Sequence, residues 1–232
     1  MKHLLLVAPA IVIVLNSCPV VSEDSRVDLP EPSLVGMSVE EAIAGRRSVR
    51  SYSDESLSLE ELSQILYAAQ GVTGQRGEVG LRSAPSAGAT YPMEIYVFVN
   101  RVAGLDSGVY RYLPPGHAVE LIRAGSYGDS LAAACLGQSM PRGAAVSFVL
   151  AAVPERTTAS YGSRGVRYIY MEAGHISQNI CLESTSLGLG AVPIGAFNDV
   201  EVDRLIGVDG ETEFSIYVNS IGKTVHKRGE GN

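Results

Sequence analysis

The sequence predicts an α+β fold, with a mostly antiparallel central sheet flanked by helices. Strand-like apolar segments recur at 93–99, 109–113, 118–123 and 145–153, and Phe214, Ile216 and Val218 alternate as a further strand. Helical patterns over 59–70 and 166–187 each carry one apolar face. Helices and strands intermix without the regular alternation of a parallel βαβ sheet. At 232 residues, 46% apolar and 19% charged, the chain can bury one real core.

Residues 1–22 read as an export signal. Lys2 and His3 precede an apolar run, Leu4 to Leu15, too short to span a bilayer comfortably. Ser17-Cys18 resembles the end of a bacterial lipobox, with Cys18 as the lipidated residue of an exported, membrane-anchored lipoprotein. Asn16 is not a favoured lipobox residue, and a plain signal peptide or a weak anchor is the alternative. Residues 23–37 are expected to be a flexible tether, 38–224 the domain and 225–232 a tail.

Ser38 and Glu41 form a capping box that opens a short helix ending near Gly45. Ser58 and Glu61 form a second, with Leu57 and Leu62 placed as a hydrophobic staple and Gly71 as the stop. Residues 71–84 read as a Gly-rich loop; its glycines do not follow a strand, so they make no dinucleotide fingerprint. The stretch 82–92 then runs into the strand at 93. Ser86, Ala87, Gly88 and Ala89 carry almost no side-chain bulk, so backbone can approach a flat ligand there; an ordinary tight connection is the alternative. A helix is expected near 127–137. In the longest helix, 166–187, Ile169, Ala173, Ile176 and Ile180 share one face. Ala191 to Ile194 is a short strand, Asn198 caps a helix over 199–206, and Ile221-Gly222-Lys223 closes the domain.

A net charge of −7 and the lack of a basic face with interleaved aromatics argue against nucleic acid as a partner. No cluster has metal-ligand spacing, and Cys135 and Cys181 read as buried free thiols. His175 reads first as a satisfied core group, and Gln178 and Asn179 as helix-packing hydrogen bonders. Arg46, Arg47, Ser48 and Arg50 lie just past a helix end. If the segment is extended, Arg46, Ser48 and Arg50 fall on one side, where they can hold a phosphate and reach a ring carbonyl; a solvated basic patch is the alternative.

The phrases RRSVRSYS, LSLEELSQILYAAQG, APSAGATYPMEIYVFV, GVYRYLPPGH, AGHISQNICLESTSLGLGAVPIGAF and IGK occur in this order. Over roughly 38–224 the chain thereby resembles nitroreductase-like flavoproteins, most of all their SagB-type dehydrogenase branch. The resemblance implies FMN bound at the interface of an intertwined homodimer. It implies that Arg46, Ser48 and Arg50 hold the phosphate, ribityl chain and pyrimidine edge, with Arg47 beside them. Pro85, Ser86, Ala87 and Gly88 would come from the partner subunit and line the flavin. Ile194 and Gly195 would bring backbone against the ring, and Lys223 would be a late phosphate contact. In the azoline-oxidising members an adjacent Lys-Tyr pair is common; here Ser160-Tyr161 stands instead, which leaves Tyr161 as the candidate acid or base.

The expected activity is hydride transfer between FMN and a small-molecule or peptide heterocycle. The alternatives are an NAD(P)H-dependent nitro or quinone reductase and a non-catalytic exported binding protein. Export sits in tension with a redox role on two counts: nicotinamides are scarce outside the cytoplasm, and no twin-Arg signal is present to carry a folded flavoprotein.

Overall fold

The computed structural model describes residues 25–225. The export signal expected over 1–22, Cys18 included, lies outside these residues, as does all but the first residue of the expected tail. The elements in order are β1 (Arg26–Asp28), α1 (Val39–Gly45), α2 (Leu59–Gln70), β2 (Val72–Arg76), β3 (Val79–Arg82), β4 (Met93–Val99), β5 (Gly108–Leu113), β6 (Ala118–Ala124), α3 (Gly128–Ala134), α4 (Met140–Gly143), β7 (Val146–Ala152), α5 (Glu155–Tyr161), α6 (Gly165–Ser186), β8 (Leu189–Ile194), α7 (Asp199–Ile206) and β9 (Phe214–Lys223). Seven strands form one sheet in the order β1-β6-β5-β4-β7-β9-β8, and every pair in it is antiparallel. The fold is the expected α+β arrangement, with helices on both faces.

The two faces of the sheet bury different residues of the same strands. Met93, Ile95, Val97 and Val99 of β4 join Phe148 and Leu150 of β7 in a core shared with α2 and α6. Tyr96 and Phe98, with Val149 and Ala151, face a second core with Leu131, Val202 and Ile206 from α3 and α7. The alternation of a strand is thus hidden, because both sets of side chains are apolar. Glu94 breaks the pattern and is buried, but Arg111 of β5 (3.0 Å) and Arg156 of α5 (2.7 Å) hold its carboxylate.

The local signals set the helix starts. Both capping boxes are formed, at Ser38/Glu41 and at Ser58/Glu61, and the Asn198 side chain accepts from the Glu201 amide. Leu57 and Leu62 are both fully buried in one core. Gly71 ends α2 for a packing reason: its φ is −59°, but a β-carbon there would lie 2.2 Å from the Tyr67 ring.

Several expectations are corrected. The tether over 23–37 contains β1, which pairs with β6 and carries buried Leu29. The loop over 71–84 is a hairpin of β2 and β3. The helix near 127–137 is shorter, α4 and α5 were not anticipated, and β9 runs ten residues.

A histidine clasp fixes the N-terminal segment. The Ser63 hydroxyl donates to the Pro30 carbonyl (2.5 Å), so the His117 Nε2–H donates to Ser63 (2.8 Å) and Nδ1 accepts from the Tyr112 hydroxyl (2.8 Å). The Leu29 amide donates to the His117 carbonyl (3.0 Å). His117→Ala leaves the buried Tyr112 hydroxyl without its acceptor and takes one of two partners from Ser63, and should lower stability by about 2 kcal/mol in urea denaturation. Limited proteolysis should then cut first near residues 25–30.

Candidate active site

Residues 46–52 leave α1 in extended form and dock beside β8. Ser48 bridges Ala191 in parallel, and the Val49 amide donates to the Ala191 carbonyl (3.0 Å). The approach is close: a β-carbon on Gly190 would lie 2.6 Å from Val49. The Tyr52 hydroxyl is shared between the carbonyls of Val49 (2.8 Å) and Ser220 (2.9 Å), and burial holds its pKa well above the ordinary value. An extended segment places Arg46, Ser48 and Arg50 on one side. Their cationic groups are not equally free. Arg47 donates to the carbonyls of Ala44 (2.9 Å) and Arg46 (2.8 Å), closing the end of α1. The Arg50 guanidinium is exposed, with one long contact, 3.5 Å, to the Ser48 carbonyl.

Lys223 ends β9 next to this segment, and its carbonyl accepts from the Ser53 amide (2.9 Å). Its ammonium pairs with the Glu61 carboxylate, so its charge is balanced within the chain. Ile194 ends β8, three residues beyond Ala191, and Gly195 follows it. The Ile194 side chain is buried in the second core, which leaves its backbone and exposed Gly195 to meet a ligand.

Pro85 to Gly88 lie elsewhere, against the first half of α6. The chain makes a 3₁₀ turn at Ala87–Ala89, with φ of +62° at Gly88, +57° at Ala89 and +45° at Tyr91. A β-carbon on Gly88 would come within 2.7 Å of the Tyr161 hydroxyl. Tyr161, at the end of α5, packs edge-on against Tyr168 at 5.1 Å, so the candidate acid or base does stand beside the small-residue loop. A pocket of about 270 Å³ opens between Pro85, Ser86 and Ala87 on the loop and Tyr168, Glu172 and His175 on α6.

The structure therefore gathers the predicted residues into two half-sites. Arg46, Ser48, Arg50, Lys223, Ile194 and Gly195 form one, by the second half of α6. Pro85 to Gly88 and Tyr161 form the other. Glu172, which lines the second, and Cys181, which lies near Arg46, are nine residues apart on one helix, about 13 Å along its axis.

Two residues here differ from, or escaped, the sequence reading. His175 is exposed and faces the pocket, not the core. Glu172 was missed. It is 3% exposed, and Gln70 donates to it (3.4 Å). The available signal was an acid three residues after Ile169, on the apolar stripe. Burial raises its carboxyl pKa to about 7, against the lowering effect of Ser86, Gln70 and Arg82. Asn179 does bridge helices, donating to the Ala68 carbonyl (2.9 Å).

Because the folded protein holds the Glu172 proton more tightly than the unfolded chain, this group stabilises the fold most at low pH. The contribution should be lost between pH of about 4.5 and about 7, and amounts to about 3 kcal/mol. Thermal melts should show the midpoint falling as pH rises through that window, and Glu172→Gln should flatten this part of the profile.

The chain is 43% identical over 194 residues to the "Putative nitroreductase MJ1384" of Methanocaldococcus jannaschii, covering 84% of this chain and 95% of that one. It is 30% identical over 149 residues to the microcin B17-processing protein McbC of Escherichia coli, covering 61% of this chain and 54% of McbC, so that match spans little more than half of the relative. A crystal structure from Ralstonia eutropha JMP134, described in the same words as the archaeal protein, superposes with a TM-score of 0.72 at 29% identity, covering 87% of this chain and 90% of that one. Residues 43–223, which run from within α1 to the last residue of β9 and include both half-sites, match the sequence pattern of the nitroreductase family, and the chain belongs to that family of oxidoreductases.

Proposed function

We propose that the protein is an FMN-dependent oxidoreductase that works as a homodimer, with each cofactor held between two chains. The observation that carries this is the separation of the two half-sites on α6. One chain offers cationic and hydroxyl groups beside β8 and a small-residue surface elsewhere, and a second copy can complete each. Exposed Val39, Ile43, Val166, Tyr170 and Met171 on α1 and α6 supply apolar surface for such a contact.

The residues present fit FMN. The exposed Arg50 guanidinium, with Arg46 and the Ser48 hydroxyl, suits a phosphate and the polar edge of a ring. Ala87 and Gly88 leave room for a flat ring to stack, and Gly88 sits at a backbone angle that side chains disfavour. Arg47 and Lys223 are the weaker candidates, since each is already engaged. When bound, FMN supplies reversible two-electron chemistry. The protein's part is to clamp it, to exclude water with the loop, and to hold a proton at the Tyr161 hydroxyl beside Gly88.

For the substrate we favour a small-molecule or peptide heterocycle, as in the SagB-type branch; the likeness to McbC, a microcin B17-processing protein by name, supports it. The higher identity to a protein named as a nitroreductase favours a second reading, NAD(P)H-dependent reduction of nitro groups or quinones. Stopped-flow oxidation of NAD(P)H by the flavin-loaded protein should be fast under the second reading and slow under the first. Export, with Cys18 as the lipid anchor, belongs to the proposal and rests on residues 1–22; Cys18→Ser should release the protein from membranes.

Flavin titration tests the site itself. Arg50→Ala should weaken FMN by about 1.5–3 kcal/mol, and Ala87→Leu by about 1.4 kcal/mol, or tenfold, with circular dichroism unchanged. A mixed dimer of the two variants should recover one intact site, because one chain keeps Arg50 and the other keeps Ala87. Failure to recover any tight site in such mixed dimers would place both half-sites' partners on the same chain.

A further inference from the structure

We propose that Glu172 is a positioning residue of this site: its buried carboxylate takes the Ser86 hydroxyl and so holds the Pro85–Gly88 loop in the shape a flat ligand meets. The inference rests on reading that loop as the cofactor platform. The loop is strained, since Ala89 and Tyr91 both sit at positive φ where side chains are disfavoured, and such a shape persists only when its surroundings over-determine it. The ties are specific. Ser86 Oγ accepts from the Tyr91 amide (2.9 Å), which leaves its hydroxyl proton to donate. Glu172 lines the same pocket as Ser86, and its carboxyl is the acceptor that the hydroxyl proton would meet there.

The other side of the carboxyl is equally ordered. Arg82 donates to Gln70 Oε1 (2.7 Å), which turns the Gln70 amide so that its Nε2 donates to Glu172 (3.4 Å). The Arg82 amide donates to the Tyr91 hydroxyl (2.9 Å), and its cation lies 4.5 Å over the Tyr91 ring. Gln70 of α2 and Ser86 of the loop thus converge on one carboxyl of α6, and the Arg82 cation of β3 acts on it by charge from behind Gln70. Further charged and titratable neighbours are Glu94 and Arg156, which act on Arg82, and Tyr168 and His175, which share the pocket. An ionised carboxylate accepts more strongly than the protonated acid, so the Ser86 tether tightens as Glu172 loses its proton. Burial places that loss near neutrality, with a pKa of about 7.

The test compares amide exchange at residues 87–91 in the cofactor-free protein, for wild type, Glu172→Gln and Ser86→Ala. At about pH 8.5 Glu172→Gln should exchange about tenfold faster than wild type and at about pH 5.5 should match it; Ser86→Ala, which also takes the acceptor from the Tyr91 amide, should exchange faster at both, by a larger factor at the higher pH. His175→Gln should keep the wild-type profile. Variants that match wild type at both pH values, or differ from it equally at both, would overturn the proposal. Should Glu172→Gln not fold, Ser86→Ala, in the half-exposed loop, carries the same comparison. FMN titration adds a second arm, with Glu172→Gln about tenfold weaker at the higher pH only. Wild type that binds no FMN would sink the functional reading, while the exchange experiment would still decide the role of Glu172.

Discussion

The central strands β4 and β7 have no face left for solvent, and most of the molecule follows from covering them. One face takes α2 and the 22-residue α6, and the other takes α3 and α7. With that face of α6 committed to the core, its remaining surface is fixed in direction. Residues on its flank, such as Glu172 and His175, are then held at set positions relative to the sheet ends. The rigid sheet supplies the frame, and the segments that hold the candidate residues are short connections pinned to it.

Those connections are pinned in different ways, and the difference sorts the charges. Residues 46–52 are fixed by backbone bonds to β8 and by the Tyr52 hydroxyl, which leaves the Arg50 side chain unconstrained. The guanidinium of Arg47 and the ammonium of Lys223 instead serve the fold, one on the carbonyls at the end of α1 and one on Glu61. A run of basic residues is therefore not one site. Geometry divides it into groups that hold the chain and a guanidinium, that of Arg50, that stays exposed.

Much of the fold was legible because its signals are local. Capping boxes at Ser38 and Ser58 and the Asn198 cap are decided within four residues, and the apolar density of 93–99 and 145–153 has few other uses. β1 was not legible, since Arg26-Val27-Asp28 has no pattern of its own and exists only because β6 has a free edge. The β2–β3 hairpin was masked by Gly74 and Gly77, which weaken the strand signal while allowing the turn. The residues of the candidate site were readable as types, but which of them share space was not. His175 was placed in the core because its neighbours are apolar, whereas the helix turns it outward. Glu172 was passed over because a buried acid declares itself only when Gln70, Arg82 and Ser86, distant in sequence, converge on it.

The ends of the sheet carry a further consequence. An unpaired strand edge invites another chain to extend the sheet, and both edges here are blunted. β1 is three residues long, with Arg26 and Asp28 paired across it at 2.8 Å. β8 contains Pro193, which brings no N–H to the ladder, and the carbonyl of Ala191 is already taken by the Val49 amide. The stretch that presents Arg46, Ser48 and Arg50 is thus also the guard of an otherwise open edge. The same seven residues cover that edge, so a change that frees this segment would expose unpaired backbone groups of β8 to another chain.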